Sequence, residues 1–518
     1  MAFSKVLLLT AFLAVCTSGV LSYKILVMVP MPARSHYNLG KGAADILHER
    51  GHEITFVSCF PDAKSAFKRE VGIPSLSLMK EENSPGFDMG KDSKLKLIWF
   101  LNTMIPMMIE GALKSDNLQE LLNDKTVKFD LIVVEYFMNE VYLGLGVKYD
   151  CPVLVISPLT LMHFLARDTG NPVWPATIPN PFLSFTGEMT LMQRVGNTAM
   201  AVVLEIMSKV MFMPSQEALY KKYFPLEAAR VDFSELKKRV GATLINSHPS
   251  IGTVRPLLPN AIEIGGFHIG AIKPLPEDLQ KILDNAKHGV VFFSMGSNLK
   301  SKQLPVEKRE AILKSLAKLK QTVLWKFESD LPGRPENVII RDWLPQTAVL
   351  AHKNVRLFIS HGGLLSCTEA ASAGIPLLAI PIFGDQHYNA EATEKRGHGL
   401  VLQYDNLTET TLTATLNAML TTDKFEKKAK DIYRLFHDRP MSPRDVLAFY
   451  AEHVIRTGGA AHLAPPRVGL ASLLLLDVAA VVLTPLLIVL LVVLFLCKKL
   501  CGSKAKKEDK SKGKQKKN

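Results

Sequence analysis

Residues 342–386 carry the pattern that most restricts the fold of this chain. It predicts an apolar strand at 355–359, a glycine-rich polar turn at 360–363, a helix that ends at Gly374 and a second apolar strand at 377–382. This order is typical of parallel α/β sheets, in which helices connect neighbouring strands. Polar side chains then lie at the carboxyl ends of the strands, where such sheets bind ligands.

The same alternation recurs along most of the chain. Further strands are predicted at 23–29, 53–58, 131–135, 153–157, 289–294, 322–327 and 338–341, and helices at 39–50 and 305–319. Prolines and glycines in the segment 248–270 predict a connection between two halves. The predicted fold class is therefore α/β, with two Rossmann-like domains in series that face a cleft.

Two apolar segments lie outside these halves. Residues 1–22 have one lysine, an apolar run and small residues, which predict a signal peptide. Residues 470–497 predict a transmembrane helix, because about twenty apolar residues cross a hydrocarbon core. The predicted domains are the first half at 23–247, the linker at 248–270, the second half at 271–440, a return helix and juxtamembrane segment at 441–469, and a basic cytoplasmic tail at 498–518.

The net charge of +13 is concentrated in that tail. It contains ten lysines against Glu508 and Asp509, so it carries +8 and leaves +5 for the rest of the chain. This is typical of a positive-inside membrane anchor and argues against nucleic acid as a partner. The predicted topology is single-pass type I in the endoplasmic reticulum membrane, with Lys514 and Lys516 as a retrieval signal. A lumenal body makes the sequon at Asn406 a predicted glycosylation site.

Polar residues around the opening segment match the parts of a nucleotide sugar. The sequence has no GxxxxGK[ST] motif, and no GxGxxG follows the first strand, which argues against a P-loop ATPase and a dinucleotide oxidoreductase. Glycines before a helix expose N–H groups for a diphosphate. The predicted contacts are Gly362, Gly363, His361 and Ser366 with the diphosphate, Glu369 and Gln346 with the ribose, Trp343 with the base, and Asp385 and Gln386 with a hexose.

The sequence from Phe358 to Gln386 resembles the signature of the UDP-glycosyltransferases, a family of membrane-anchored, two-domain glycosyltransferases of the GT-B kind, and its insect branch in particular. The resemblance covers nearly the whole mature chain, including Trp343-Leu344-Pro345-Gln346 and the lysine tail. It implies a UDP-sugar as co-substrate and neither a metal nor another cofactor. The donor-site residues that it implies are Ser297, Trp343, Gln346, His361, Gly363, Ser366, Glu369, Asp385 and Gln386. Many plant members have Asn where this chain has Leu365, so one phosphate contact is expected to be absent or to come from the backbone.

The resemblance places acceptor chemistry in the first half of the chain. His36 follows the first strand where family members keep a general base, which would take the proton of an acceptor hydroxyl. Family members often have Asp where this chain has Glu135, the predicted partner of His36, and Glu140 is a weaker alternative. Methionine-rich apolar segments at 95–113 and 198–214 suit a pocket for lipophilic ligands or bilayer contact, with ordinary buried helices as the alternative.

The predicted function is inverting transfer of a hexose from a UDP-sugar to a hydroxyl of a small lipophilic acceptor, such as a phenol, steroid or xenobiotic, as in detoxification. Glucose is the predicted sugar by resemblance to the insect branch, and glucuronate stays open. The alternative is a lipophile-binding protein without activity on the same fold. An esterase is disfavoured because the sequence lacks a G-x-S-x-G motif. A homo-oligomer is left open.

Overall fold

The computed structural model describes residues 22–73, 86–88, 94–466 and 469–514. Residues 1–21 of the predicted signal peptide and residues 515–518 of the predicted retrieval signal lie outside this part. The chain forms two compact units, Met1–Ala464 and Pro465–Asn518. The first unit contains two separate β-sheets, and the second contains an apolar helix.

The first sheet has seven strands, all paired in parallel, in the order β3-β2-β1-β4-β5-β6-β7. Strands β1, β2, β4, β5 and β6 are almost completely buried, as expected when helices cover both faces of a parallel sheet, and the two edge strands are partly exposed. The strands are β1 Lys24–Val29, β2 Glu53–Ser58, β3 Arg69–Gly72, β4 Leu131–Glu135, β5 Val153–Ser157, β6 Val240–Ile245 and β7 Ala261–Glu263.

The second sheet has six parallel strands in the order β10-β9-β8-β11-β12-β13. The strands are β8 Val290–Ser294, β9 Thr322–Lys326, β10 Val338–Arg341, β11 Val355–Ser360, β12 Leu377–Ala379 and β13 Gly399–Val401. The prediction of two parallel Rossmann-like sheets in series is confirmed.

Helices connect the strands and cover the faces of the sheets. In the first half they are α1 Arg34–Glu49, α2 Lys94–Leu113, α3 Asp116–Asn123, α4 Gly144–Lys148, α5 His163–Asp168, α6 Leu191–Met207, α7 Met213–Tyr223 and α8 Pro225–Ala228. The remaining helices are α9 Glu277–Asp284, α10 Val306–Leu316, α11 Gln346–Leu350, α12 Leu364–Ala373, α13 Gln386–Lys395, α14 Glu409–Leu420, α15 Lys424–His437, α16 Pro443–Arg456, α17 Leu470–Leu473 and α18 Leu476–Lys514.

Each sheet reverses its strand order once. In the first sheet the reversal lies between β1 and β4, and in the second it lies between β8 and β11. Loops that leave adjacent strands in opposite directions open a crevice at such a point, and open α/β sheets bind their ligands there. The fold therefore provides two crevices, one for each sheet.

Helix α1 begins five residues earlier than predicted. The prediction began at residue 39, where apolar residues start to recur, but the structure begins the helix at Arg34. Its first turn contains Ser35, His36 and Asn38, which face a cavity and therefore lack the apolar spacing that marks a buried helix face. His36 consequently lies in a helical turn and not in a loop.

Two further predicted boundaries differ from those in the structure. The predicted linker 248–270 contains β7, which pairs with β6, so this segment is partly sheet. The strand predicted at 377–382 ends at Ala379. Pro381 follows and has no N–H to continue a ladder, which explains the short strand.

Helix α16 returns the chain to the first sheet. Leu447, Ala448, Ala451 and Val454 on this helix are buried in the same core as residues of β1 and α1. The predicted return helix is therefore present within 441–469. Cys151 and Cys367 are buried and form no disulfide.

Two helical stretches of the described chain are long and apolar enough to cross a membrane, Leu191–Tyr223 and Leu476–Lys499. The first is built from α6, a π-helix at Ser208–Phe212 and α7, and it buries Asn197 and Gln216 in the first unit. The second begins α18, which continues to Lys514 through part of the predicted tail.

His398 gives the fold a predictable sensitivity to acid. Its side chain is 4% exposed, and its Nδ1 atom has no hydrogen-bond partner among the described residues. Burial, helped by the charge of Arg396, lowers the pKa of His398 to about 4. An unfolded histidine titrates near 6.5. Protons therefore bind the unfolded chain first, and stability is lost as the pH falls from 6.5 towards 4.

Between pH 7 and pH 5, we expect the free energy of unfolding of the wild type to fall by about 2 kcal/mol more than that of the His398→Gln variant. Glutamine has a similar shape but takes up no proton in this range. Urea unfolding of the detergent-solubilised protein at both pH values measures the difference. The exposed His288→Gln serves as the control and should behave like the wild type. Equal losses in all three proteins would contradict the prediction.

Candidate active site

A cavity of about 410 Å³ lies at the carboxyl ends of both sheets. Residues that follow β1 and β4 border it on one side, and residues that follow β8 and β11 border it on the other. The two crevices of the fold thus open into one space. The predicted site residues that line this cavity are His36, Ser297, Trp343, Gln346, His361, Gly363, Ser366, Glu369, Asp385 and Gln386.

His36 and Glu135 are in direct contact. The Nδ1 atom of His36 lies 2.8 Å from Oε1 of Glu135, the last residue of β4. Their side chains are 15% and 1% exposed, so the pair is largely shielded from water. Because Glu135 occupies Nδ1, Nε2 is the ring nitrogen left for a molecule in the cavity. The additional methylene of glutamate compared with aspartate does not prevent this contact.

The part of the cavity near His36 has apolar walls. Phe137 contacts the His36 ring edge to face, with 5.2 Å between the ring centroids. The methionine-rich helix α2 forms much of the remaining wall, as predicted for the segment 95–113. The α2 residues that line the cavity are Leu97, Phe100, Leu101, Met104, Ile105 and Met108. The second methionine-rich segment, 198–214, does not border this cavity.

Two glycines enclose the ring of His361. A Cβ atom at Gly296 or at Gly363 would lie 2.5 Å from a ring atom of His361, and Gly296 also has a left-handed φ of 82°. Larger residues at these positions would displace the ring. Burial, followed by the charge of Lys326, lowers the pKa of His361 to about 4. The ring is therefore neutral at physiological pH and can donate one N–H.

Helix α12 begins directly beside His361. Its N-cap is Gly363, which has no side chain to cap the first turn. Free N–H groups at a helix start favour an anion such as a diphosphate. Ser366 in this turn lines the cavity and can donate its hydroxyl proton. Leu365 also lines the cavity, so at this position only the backbone can contact a phosphate.

Glu369 has polar neighbours on two sides. Gln346 donates its side-chain N–H to Oε2 of Glu369 at 2.7 Å and to Oγ of Ser366 at 3.2 Å. On the other side, Nε2 of His268 lies 3.4 Å from Oε1 of Glu369. The carboxylate is thereby fixed in position at the cavity wall, where it can accept further hydrogen bonds from a diol.

Trp343 presents its ring to the cavity. The residue is 61% exposed, unlike the buried Trp325 of the same sheet. The ammonium group of Lys326 lies 5.6 Å from the ring centroid of Trp343 and 2.6 Å from Glu328. An exposed aromatic face of this kind can stack on a planar base.

Asp385 and Gln386 also line the cavity. Burial raises the pKa of Asp385, and its Oδ2 accepts a hydrogen bond from Asn389 at 2.8 Å. The Oε1 atom of Gln386 accepts from the backbone N–H of Ile382 at 2.8 Å, which leaves its N–H₂ group for a ligand. Asn389 also donates to the carbonyl of Gly362 and links this corner to the His361 turn.

Lys326, His268 and Asn389 were missed by the sequence reasoning. Lys326 is the last residue of β9, and a lysine that ends an apolar strand was a usable signal. His268 lies in the segment predicted as a linker, and Asn389 lies inside a helix. No local sequence pattern therefore indicates that either residue belongs to the site. Among the residues that the structure describes, no group of three His, Cys, Asp or Glu side chains is placed to hold a metal.

Comparisons with known proteins agree with this geometry. The chain matches the family described as UDP-glucoronosyl and UDP-glucosyl transferase over residues 100–515. It is 34% identical over 489 residues to UDP-glycosyltransferase UGT5 of Dactylopius coccus, across 93% of this chain and 92% of that protein. It is 31% identical over 506 residues to UDP-glucosyltransferase 2 of Dactylopius coccus, across 96% of each.

The fold also resembles solved structures. The chain superimposes on the spinosyn forosaminyltransferase SpnP with a TM-score of 0.57 at 19% identity, across 84% of this chain and 100% of that chain. This similarity confirms the predicted GT-B arrangement of the two sheets.

Proposed function

This chain belongs to the family of UDP-glucoronosyl and UDP-glucosyl transferases, and from this we propose that it transfers glucose from UDP-glucose to a hydroxyl of a small lipophilic acceptor, with inversion at the anomeric carbon. Members of this family are glycosyltransferases that use a UDP-sugar as co-substrate. The observation that carries the proposal is the single cavity, which joins the His36–Glu135 pair to the residues suited to a UDP-sugar.

The second sheet would hold the donor. Trp343 would stack on uracil, Glu369 and Gln346 would bind the ribose, and the start of α12 would hold the diphosphate with Ser297, His361 and Ser366. The diphosphate carries negative charge, which free N–H groups and the ammonium of Lys326 stabilise. The same groups stabilise the charge that develops on UDP as it leaves.

The first sheet would hold the acceptor and its base. Nε2 of His36 would take the proton of the acceptor hydroxyl while that oxygen bonds to the anomeric carbon. The bond between this carbon and the UDP oxygen breaks at the same time, and UDP leaves with the bonding electrons. Glu135 would stabilise the imidazolium that forms. Attack from the face opposite UDP inverts the configuration.

One observation favours glucose over glucuronate. The Asp385 carboxyl borders the proposed sugar site, where a second carboxylate on the sugar would be repelled. Relatives named for either sugar cover nearly the whole chain. The family description includes both sugars, so a comparison of donors is the decisive measurement. Family membership and the His36–Glu135 contact disfavour the alternative of a lipophile-binding protein without activity.

The C-terminal helix supports a membrane location. Leu476–Lys499 is apolar enough to span a bilayer, and lysines follow it. We place the body in the lumen of the endoplasmic reticulum, since lysine-rich flanks stay in the cytoplasm. Asn406 is exposed, which suits glycosylation there.

The detergent-solubilised protein is expected to release UDP from UDP-glucose when a simple phenol is added, and to do so at least tenfold faster than from UDP-glucuronate. Proton NMR of the product is expected to show the large anomeric coupling of a β-glucoside, because the donor is an α-glucoside. Faster transfer from UDP-glucuronate would overturn the sugar assignment. An α-linked product would overturn inversion, and no UDP release with any phenol would overturn the proposed activity.

A further inference from the structure

A second cavity of about 40 Å³ lies beside the apolar part of the main cavity. Leu101 and Phe182 line both cavities, so these two side chains form the wall between them. About 10–15 Å³ of such space holds one water molecule, so the cavity suits a small substituent of a few heavy atoms. Residues from both methionine-rich segments surround it, including Leu204 of α6.

Two hydrogen-bond acceptors face this mostly apolar space. Glu140 is 2% exposed, and its Oε2 atom has no hydrogen-bond partner among the described residues. Asn102 is 9% exposed and donates its N–H₂ group to the carbonyl of Ile98 at 2.8 Å, while its Oδ1 atom has no partner in the same part of the chain. Buried acceptors that stay unpaired are costly, so a donor is needed there.

The turn that carries the proposed catalytic carboxylate also positions Glu140. The chain leaves β4 at Glu135, passes through Met138 with a left-handed φ of 55°, and places Glu140 at the start of a 3-10 helix. Asn139 braces the turn by donating to the carbonyl of Glu135 at 2.9 Å. A residue other than glycine in this conformation is strained, and such strain is concentrated at functional sites.

The surroundings of Glu140 suit a polar ligand group. The Tyr136 hydroxyl and the Lys237 ammonium favour the charged carboxylate, whereas the charge of Asp168 disfavours it. Burial raises the pKa of Glu140 to about 7. The ammonium of Lys237 lies 2.6 Å from Asp168.

We propose that Glu140 and Asn102 form the far end of the acceptor site and select acceptors that carry a second hydrogen-bond donor, a hydroxyl or an amine, opposite the hydroxyl that receives the sugar. This inference rests on the proposed function, because it assigns the substrate class of the same site. The main cavity holds the apolar middle of the acceptor. A shift of Leu101 or Phe182 lets the end of the acceptor enter the small cavity. The acceptor is thus bifunctional.

Three phenols of equal length test this selection. In 4-(3-hydroxypropyl)phenol and 4-(3-aminopropyl)phenol the chain ends in a donor, and in 4-butylphenol it ends in a methyl group. We expect the wild type to use at least one of the first two with a kcat/KM about tenfold above that for 4-butylphenol, the scale of one buried hydrogen bond to a charged group. The better substrate of these two shows whether the site prefers a hydroxyl or an amine.

Leucine variants at both positions provide the comparison. For each protein, kcat/KM for the better of the two donor-bearing phenols is divided by kcat/KM for 4-butylphenol. In Glu140→Leu and Asn102→Leu this ratio should fall about tenfold or invert, because an apolar wall favours the butyl chain. Glu217→Gln on α7, which does not line the small cavity, is the control and should keep the wild-type ratio. UDP affinity by calorimetry shows whether each variant is folded.

Binding separates this inference from the proposed function. Equilibrium binding of the three phenols requires no turnover, so it shows the selection even if no sugar is transferred. Wild-type discrimination that is lost in either leucine variant supports the inference. Equal binding of the three phenols by the wild type, or discrimination unchanged in both variants, overturns it and leaves the small cavity to water.

Discussion

The His36→Ala variant is expected to transfer sugar at least about 1,000 times more slowly than the wild type, within the range of positioned general bases. Alanine cannot take the proton of the acceptor hydroxyl, and Glu135 is too deeply buried to replace it. UDP should bind with nearly unchanged affinity, because the residues around the proposed nucleotide position come from the second sheet.

Single-turnover rates with UDP-glucose and a phenol measure this loss, and calorimetry with UDP measures binding. His48→Ala is a matched control, since it removes a histidine from the same helix away from the cavity. Glu135→Gln should lose less than His36→Ala, because glutamine still accepts from Nδ1 but does not stabilise an imidazolium. Wild-type turnover in His36→Ala would contradict the assigned role.

Loss of the Glu369 carboxylate is expected to weaken UDP binding by about 1–3 kcal/mol, the cost of removing a charged hydrogen-bond partner. Two effects contribute to this cost. The ribose loses an acceptor for its diol, and Gln346 loses the partner that fixes it at 2.7 Å. The Glu369→Ala variant should therefore bind UDP between about 5 and 150 times less tightly.

Calorimetric titration with UDP and with uracil separates the ribose contact from the base contact. Affinity for UDP should fall, whereas stacking of the base on Trp343 should persist. Glu336→Ala, an exposed glutamate in the same half of the chain, is the control. An unchanged UDP affinity in Glu369→Ala would rule out the ribose contact.

The sheets and the second half of the site were predictable because their signals are local. Buried parallel strands are short apolar runs, and glycine turns such as Gly362-Gly363 follow them directly. Since strand ends meet at one sheet edge, Trp343, His361 and Asp385 could be assigned to the base, the diphosphate and the hexose of one ligand. The resemblance to a known family added Ser297 to this set.

Other features were beyond sequence reasoning because they depend on distant parts of the chain. The position of His36 in a helical turn was missed, since its polar first turn faces the cavity. His268 lies about one hundred positions before Glu369 in the sequence, yet the two side chains are 3.4 Å apart. Gly42 of α1 lies close to His268, because a Cβ atom at Gly42 would be 3.1 Å from the Cα of His268. Glu135 could be named as the partner of His36 only by analogy, because no pattern joins residues in different elements.

The packing of α16 on the first sheet determines which sequence segments must be exchanged together in a chimaera of two related proteins. The polypeptide passes between the two halves twice, once after β7 and once after α15. The first half therefore consists of two separate pieces of sequence, whereas the second half is one continuous piece. A chimaera cut only near residue 265 would leave Leu447, Ala451 and Val454 against a foreign sheet. A chimaera that is to keep the acceptor preference of one relative should therefore take both α16 and the amino-terminal segment from that relative.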